Sequence, residues 1–388
     1  MEHHSHIRST LANARRIVLK FGTRVLVAED GRPDPKQLEA IGDVIATLRK
    51  EGRQVIVVTS GAVGAGIDAL GLKSRPKTLP GLQMAASVGQ ARLMALYSDV
   101  FRSRGLVCGQ MLLTADDLKD RVRHLNARNT LNQLLQSGVV PVINENDVVS
   151  VAEIKLGDND RLAALVSLLA DADVMFLMTS VAGLLRTGES GAKERIPHLN
   201  RVDDAAKALA VGKGSALSTG GMATKLEAAG MVAGSGAASV IADGRDPANI
   251  LRVLRGEDVG TLIGRPLPAR DGAARKRKQW IRHFQKSKGR LVVDAGAKDA
   301  IIRRKTSLLP IGIRKVEGPF PQGALVDIAG DDDAVFARGL VEYESELIHQ
   351  VKGRKTSEYA RQPHLSFVHE VVNRDNLVLT DPAGGSPS

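Results

Sequence analysis

Four stretches of the chain carry side chains whose types and spacing suit chemistry on anions. Lys20 ends an apolar run, Arg16 to Leu19, and is followed by Phe21, Gly22 and Thr23. A lysine and a glycine at a strand end can set an ammonium over a bound phosphate; a plain strand terminus with a surface lysine is the alternative. The β-branched run Gln54 to Thr59 passes into Ser60-Gly61-Ala62-Val63-Gly64-Ala65-Gly66, a strand, a glycine-rich turn and a helix start. The unpaired N–H groups and the dipole of such a helix start favour an anion. The third stretch is Pro141 to Asp160, where Val139 to Ile143 stops in Asn144-Glu145-Asn146-Asp147 and a second short run stops in Gly157-Asp158-Asn159-Asp160. The fourth, Ser218 to Lys225, is another glycine turn entering a helix, with a lysine one turn in. A lysine beside a helix N-terminus opposes the dipole, which favours a functional reason for Lys225.

In an open α/β sheet, ligands sit beyond the carboxyl ends of the strands. Two segments that both stop in carboxylates and amides therefore suggest one shared site. Its groups suit something small with an amine and a carboxylate, or a set of cations. Two Asn/Asp-rich turns are the structural alternative. No G-x-x-x-x-G-K-[ST] loop occurs, and the glycine turns do not fit G-x-G-x-x-G, so neither a P-loop nor a dinucleotide fingerprint is supported.

The elements that must position these residues alternate. Helical spacing covers Leu38 to Leu48, Pro80 to Ser103, Asn126 to about Leu135, and Arg161 to Ala170 with Asp160 at or near its cap. Strand-like runs cover Val107 to Leu113, Val174 to Met178 and Ala238 to Ala242. Alternation from residue 15 to about 265 predicts an α/β fold: a mainly parallel open sheet sandwiched by helices. Beyond Arg265 the character changes. Arg290 to Val293, Ala300 to Ile302, Val316 to Glu317, Ala324 to Ile328 and Val335 to Val341 read as short strands of a small β-rich, barrel-like domain.

Composition narrows the class. A chain of 388 residues suggests two or three domains. With 3% aromatics, the cores must rest on aliphatic side chains. A single cysteine, Cys108, excludes an internal disulfide and fits a reducing, cytoplasmic setting. His3, His4 and His6 precede no apolar stretch of a signal peptide, and no run reaches the ~18 residues of a membrane span. The net charge of +11 is concentrated in the last third, at Arg275 to Lys278, Lys286, Lys288, Arg290, Arg303, Arg304, Lys305, Arg314 and Lys315. That pattern fits a solvated basic surface or an RNA partner, although aromatics for base stacking are few there.

Seven ordered motifs then match one family. VLKFGT (Val18 to Thr23), VVTSGAVGAG (Val57 to Gly66), QMLLT (Gln110 to Thr114), LNARNTL (Leu125 to Leu131), PVINEND (Pro141 to Asp147), GDND (Gly157 to Asp160) and TGGMATK (Thr219 to Lys225) resemble the glutamate 5-kinases of the amino acid kinase superfamily. GRLVVDAGAKDAI and SLLPIGIRKVEG resemble a PUA domain. The resemblance implies an extension at 1–14, a kinase domain at 15–270, a linker at 271–287, a PUA-like domain at 288–365 and a tail at 366–388. It implies transfer of the ATP γ-phosphoryl group to the γ-carboxylate of L-glutamate, the first step of proline biosynthesis. Lys20 and Lys225 would then contact the phosphates, with Asp160 holding both lysines. Ser60, Asp147 and Asn159 would bind glutamate. Thr179 and Ser180, with Thr219, Gly220, Gly221, Met222, Ala223, Thr224 and Lys225, would line the nucleotide. Mg²⁺ would ride mainly on the ATP phosphates, without a protein metal site. Feedback inhibition by proline and a homo-oligomer, dimer or tetramer, are implied too. The chain departs from the family pattern at Ser180, Ala182, Leu185 and Ser218, all on the expected nucleotide side.

Overall fold

The computed structural model describes residues 8–28, 32–149, 158–188, 191–210, 219–264, 287–359, 361–363, 365–366 and 368–380. Two compact units emerge: Met1–Leu118 with Val122–Pro268, and Lys119–Arg121 with Ala269–Ser388. Gly157, Ser218, the basic run Arg275 to Lys278, Lys286 and the expected linker up to residue 286 lie outside the described residues.

Among the described residues, the first unit is built on ten strands: β1 (Arg16–Phe21), β2 (Gln54–Val58), β3 (Cys108–Leu113), β4 (Val140–Glu145), β5 (Val174–Thr179), β6 (Leu185–Thr187), β7 (Lys193–Arg195), β8 (His198–Leu199), β9 (Ala238–Asp243) and β10 (Thr261–Ile263). Eight form one sheet in the order β3-β4-β2-β1-β5-β9-β10-β8, and β6 pairs with β7 apart from it. The six strands from β3 to β9 run parallel, whereas β10 is antiparallel to β9. From β1 the chain goes to β2 on one side; from β5, on the other side, it goes on to β9. The winding direction thus reverses between β1 and β5, and the crevice at such a reversal is where open α/β sheets take ligands.

Alternation within the strands assigns the two faces. Ile17, Leu19, Phe21, Val55, Val57, Val174 and Phe176 pack in one cluster with Leu38, Ile41, Ile45 and Leu48 of helix α1 (Pro35–Lys50). The same cluster takes Leu93, Tyr97 and Phe101 of a long helix, Leu79–Arg102. Asp34 caps α1 by accepting from the backbone N–H groups of Lys36 and Gln37, with Pro35 at its first position. Between these two helices in sequence lies α2 (Ala62–Ala69); the long helix is α3, and α4 spans Arg121–Gln136. The opposite face, which carries Val18 and Lys20, meets α5 (Asp158–Leu169) and α6 (Thr219–Gly234). Two boundaries differ from the periodicity. Helix α4 begins a turn before Asn126, and α5 begins at Asp158, so Asp160 lies inside the first turn rather than at the cap.

The second unit holds a five-stranded sheet, β12-β11-β13-β14-β15, from β11 (Gly289–Val293), β12 (Ile313–Glu317), β13 (Leu325–Ala329), β14 (Val335–Val341) and β15 (Val372–Leu379). The expected strand Ala300 to Ile302 is helical instead. Asp294 accepts from the Ala297 N–H at 2.8 Å and starts a helix at Ala295, which runs on through Arg304. Strand β15 lies beyond the boundary expected at residue 365. Its first half, Asn373-Arg374-Asp375, carries no apolar strand pattern, because β15 is an edge strand anchored by Val372, Leu377 and Val378. Several of the basic residues that fit a solvated surface or an acidic partner are ion-paired within the unit. Arg303 pairs with Asp299, Arg314 with Asp294, Lys315 with Glu317, and Arg290 with Asp333. Among the described residues, no helix is long and apolar enough to cross a membrane.

Candidate active site

The carboxylate of Asp160 is fully buried and stands between two ammonium groups. Lys20 Nζ lies 2.7 Å from Oδ1, and Lys225 Nζ lies 3.0 Å from Oδ2. Thr224 Oγ1 also donates to Oδ2 at 3.0 Å. Three elements deliver these groups: Lys20 from the end of β1, Asp160 from the first turn of α5, and Lys225 from the first turns of α6. Lys225 folds back along its helix and donates to the Gly221 carbonyl at 3.0 Å. Burial pushes the Asp160 carboxyl up; Lys20 and Lys225 pull harder the other way, so it titrates below the ordinary 3.8. Burial lowers the Lys20 ammonium below its usual value, against the attraction of Asp160 and with the help of Lys225. Two ammoniums share one carboxylate, which leaves a surplus positive charge where an incoming oxyanion would be drawn.

A second, neutral network adjoins it. Asn159, the neighbour of Asp160 on α5, donates through Nδ2 to Ser60 Oγ at 3.0 Å and to Asn144 Oδ1 at 3.3 Å. Asn144, at the end of β4, donates through Nδ2 to Gln90 Oε1 at 2.8 Å. Ser60 itself is fixed by the turn between β2 and α2. Gly61 sits there at φ 102°, in the left-handed region that a side chain resists. Helix α3 approaches this turn closely: a Cβ on Gly89 would fall 1.8 Å from the Ala62 carbonyl oxygen. Beside Ser60, the buried Thr59 hydroxyl is 2.9 Å from the Tyr97 hydroxyl.

The amino acid kinase family matches residues 15–243, and the PUA domain matches residues 289–362. A glutamate 5-kinase from Geobacter sp. (strain M21) is 44% identical over 375 residues, 96% of this chain and 99% of the relative. This chain belongs to the glutamate 5-kinase family of amino acid kinases. A second member, the glutamate 5-kinase of Moorella thermoacetica, is 44% identical over 374 residues, 96% of this chain and 98% of that one. Among solved structures, carbamate kinase from Giardia lamblia bound to AMP-PNP is similar at 16% identity and a TM-score of 0.48, covering 66% of this chain and 99% of that one.

Of the residues singled out for a glutamate 5-kinase, the fold brings Lys20, Asp160, Thr224 and Lys225 into one cluster and Ser60 and Asn159 into the next. Asp147 lies half-buried in the turn after β4, on the same carboxyl edge. Thr179 ends β5 and Ser180 follows it, both half-buried. Met222 and Ala223 are half-buried on α6, Gly221 is exposed beside them, and Thr219 and Gly220 begin the helix. Among the departures from the family pattern, Ala182 is exposed and Leu185 half-buried. The intervening Gly183, at φ 145°, lies against Thr261, whose hydroxyl accepts from the Leu184 N–H at 2.9 Å. The sequence patterns single out Asn144 only as part of Asn144 to Asp147 and give Gln90 no role. Their signal was Gly89-Gln90 inside a long helix, where glycine costs ~1 kcal/mol relative to alanine unless close packing requires it.

Proposed function

We propose that the chain transfers the γ-phosphoryl group of ATP to the γ-carboxylate of L-glutamate, giving L-glutamyl 5-phosphate in the first step of proline biosynthesis. The observation that carries this reading is the pair of lysines held on one buried carboxylate, 2.7 and 3.0 Å from its two oxygens. A glutamate side chain has a pKa of ~4.3 in water and is already ionised near neutrality. The reaction therefore needs no general base. A carboxylate oxygen forms the new bond to phosphorus, the bridging P–O bond breaks, and ADP leaves with its electron pair. The obstacle is the approach of two anions, and phosphoryl transfer responds mainly to positioning and charge neutralisation.

In this reading Lys20 and Lys225 face the transferring phosphoryl oxygens. Asp160 acts through them, fixing both ammoniums without touching the substrate. Ser60 and Asn159 hold the glutamate, and Asp147 pairs with its α-ammonium. Thr179, Ser180 and residues 219 to 225 line the nucleotide. The donor set of the lysine cluster is cationic, and the Asp160 carboxylate is engaged by both lysines and Thr224. Such a set suits phosphate oxygens rather than a metal, so Mg²⁺ would enter on the ATP phosphates and neutralise part of their charge there.

The test is to incubate the purified protein with ATP, Mg²⁺, glutamate and hydroxylamine, and to measure the hydroxamate trapped from the acyl phosphate. Glutamate hydroxamate is the expected product. Its absence, with aspartate, acetylglutamate or carbamate consumed instead, would overturn the substrate assignment.

A further inference from the structure

The three amides beside Ser60 form a relay with one polarity. Asn159 donates to Asn144, and Asn144 donates to Gln90. Each bond uses an NH₂ group on one side and a carbonyl on the other. The relay therefore ends in an unused carbonyl at Asn159 and an unused NH₂ at Gln90. Both end atoms, Asn159 Oδ1 and Gln90 Nε2, are buried and have no hydrogen-bond partner in the protein. A buried polar atom without a partner is costly, and native structures keep few of them. An α-amino acid offers the matching pair, an ammonium that only donates and a carboxylate that only accepts.

We propose that Gln90 is a specificity-determining residue that donates its free Nε2–H to the α-carboxylate of bound glutamate. The inference rests on the glutamate reading above and deepens it. The α-ammonium cannot be the partner, because it has no lone pair to accept a proton. The γ-carboxylate belongs at the other end. Asn144 ends β4, Lys20 comes from β1, and β2 lies between them in the sheet. Two strand spacings, ~9–10 Å, separate the two positions. In this pose the reacting end of the dicarboxylate lies toward Lys20 and its α-carboxylate toward Gln90. Asn144 has a positioning role: its Nδ2 holds the Gln90 carbonyl and so leaves the NH₂ of Gln90 as the free end of the relay.

The test compares glutamate with its α-amide, isoglutamine, which keeps the γ-carboxylate but turns the α-carboxylate into an amide. The variants are Gln90→Glu and Gln90→Met, each in the full-length chain, with thermal melting run alongside. Gln90→Glu still accepts from Asn144 but presents a carboxylate where the NH₂ stood. The KM for glutamate should rise about 10- to 100-fold, the worth of a hydrogen bond to a charged group. The kcat and the KM for ATP should stay within about threefold. The preference for glutamate over isoglutamine, as a ratio of kcat/KM, should fall at least tenfold, because the amide can donate to the new carboxylate. Gln90→Met should raise the glutamate KM without favouring the amide, and it carries the test should Gln90→Glu fail to fold. Equal losses on both substrates in Gln90→Glu, or an unchanged glutamate KM in Gln90→Met, would overturn the proposal. A parent enzyme that phosphorylates no glutamate would instead overturn the substrate reading itself, a different and separately visible result.

Discussion

Asp160→Asn isolates the central electrostatic claim. The substitution keeps the shape of the side chain and removes its charge. In the parent, the buried carboxylate faces ammoniums at 2.7 and 3.0 Å. At an effective dielectric near 20, each such pair is worth ~5–6 kcal/mol gross, most of it offset by desolvation of the ions. Removing one partner of a buried pair costs ~3–5 kcal/mol, since the remaining charge stays out of water uncompensated. Here two ammoniums are stranded, so the upper part of that range is expected, against a total stability of ~5–15 kcal/mol for a domain. Urea unfolding of the variant should show a lower midpoint with an unchanged slope. The pH profile adds a sign. The Asp160 carboxyl titrates below its ordinary 3.8, so its contribution is complete above that value and fades as pH falls through the lower folded one. The parent should therefore weaken in acid more steeply than Asp160→Asn. ATP with Mg²⁺ should stabilise the variant more than the parent, because phosphates supply the missing negative charge. A variant within ~1 kcal/mol of the parent, with the same acid slope and the same nucleotide shift, would refute the idea that Asp160 holds the lysines.

Lys20→Met and Lys225→Met should each lower kcat by about 10²–10³ while moving the glutamate KM little, the signature of a charge used mainly in the transition state. Steady-state kinetics decide it, and turnover close to the parent would remove that lysine from phosphoryl stabilisation. Gly89→Ala places a methyl 1.8 Å from the Ala62 carbonyl oxygen, so α2 and α3 must separate. A loss of ~1–3 kcal/mol in urea unfolding and a raised glutamate KM should follow, because Ser60 and Gln90 both adjoin that contact.

The chain's local patterns were enough for the alternation of strands and helices and for placing Lys20, Asn144 and Asp160 at the carboxyl ends of strands or the helix start that follows. Apolar runs that end in polar residues, such as Val139 to Asp147, announce strand ends because the continuous burial of a strand covered on both faces stops there. The motif series likewise singles out Lys20, Asp160 and Lys225. The sequence was less informative where burial was weak or a cap intervened. Strand β15 hides behind Asn373-Arg374-Asp375 on a sheet edge, and Ala300 to Ile302 is helical because Asp294 starts a helix upstream of it. What only the tertiary structure decided is proximity. Lys20, Asp160 and Lys225 span more than half of the chain, and no periodicity connects them. They meet because β1, α5 and α6 converge on one face of the sheet, where a single carboxylate can hold both ammoniums. The amide relay from Asn159 to Gln90 has the same origin, since hydrogen-bond direction is a property of neighbours in space and not of order along the chain.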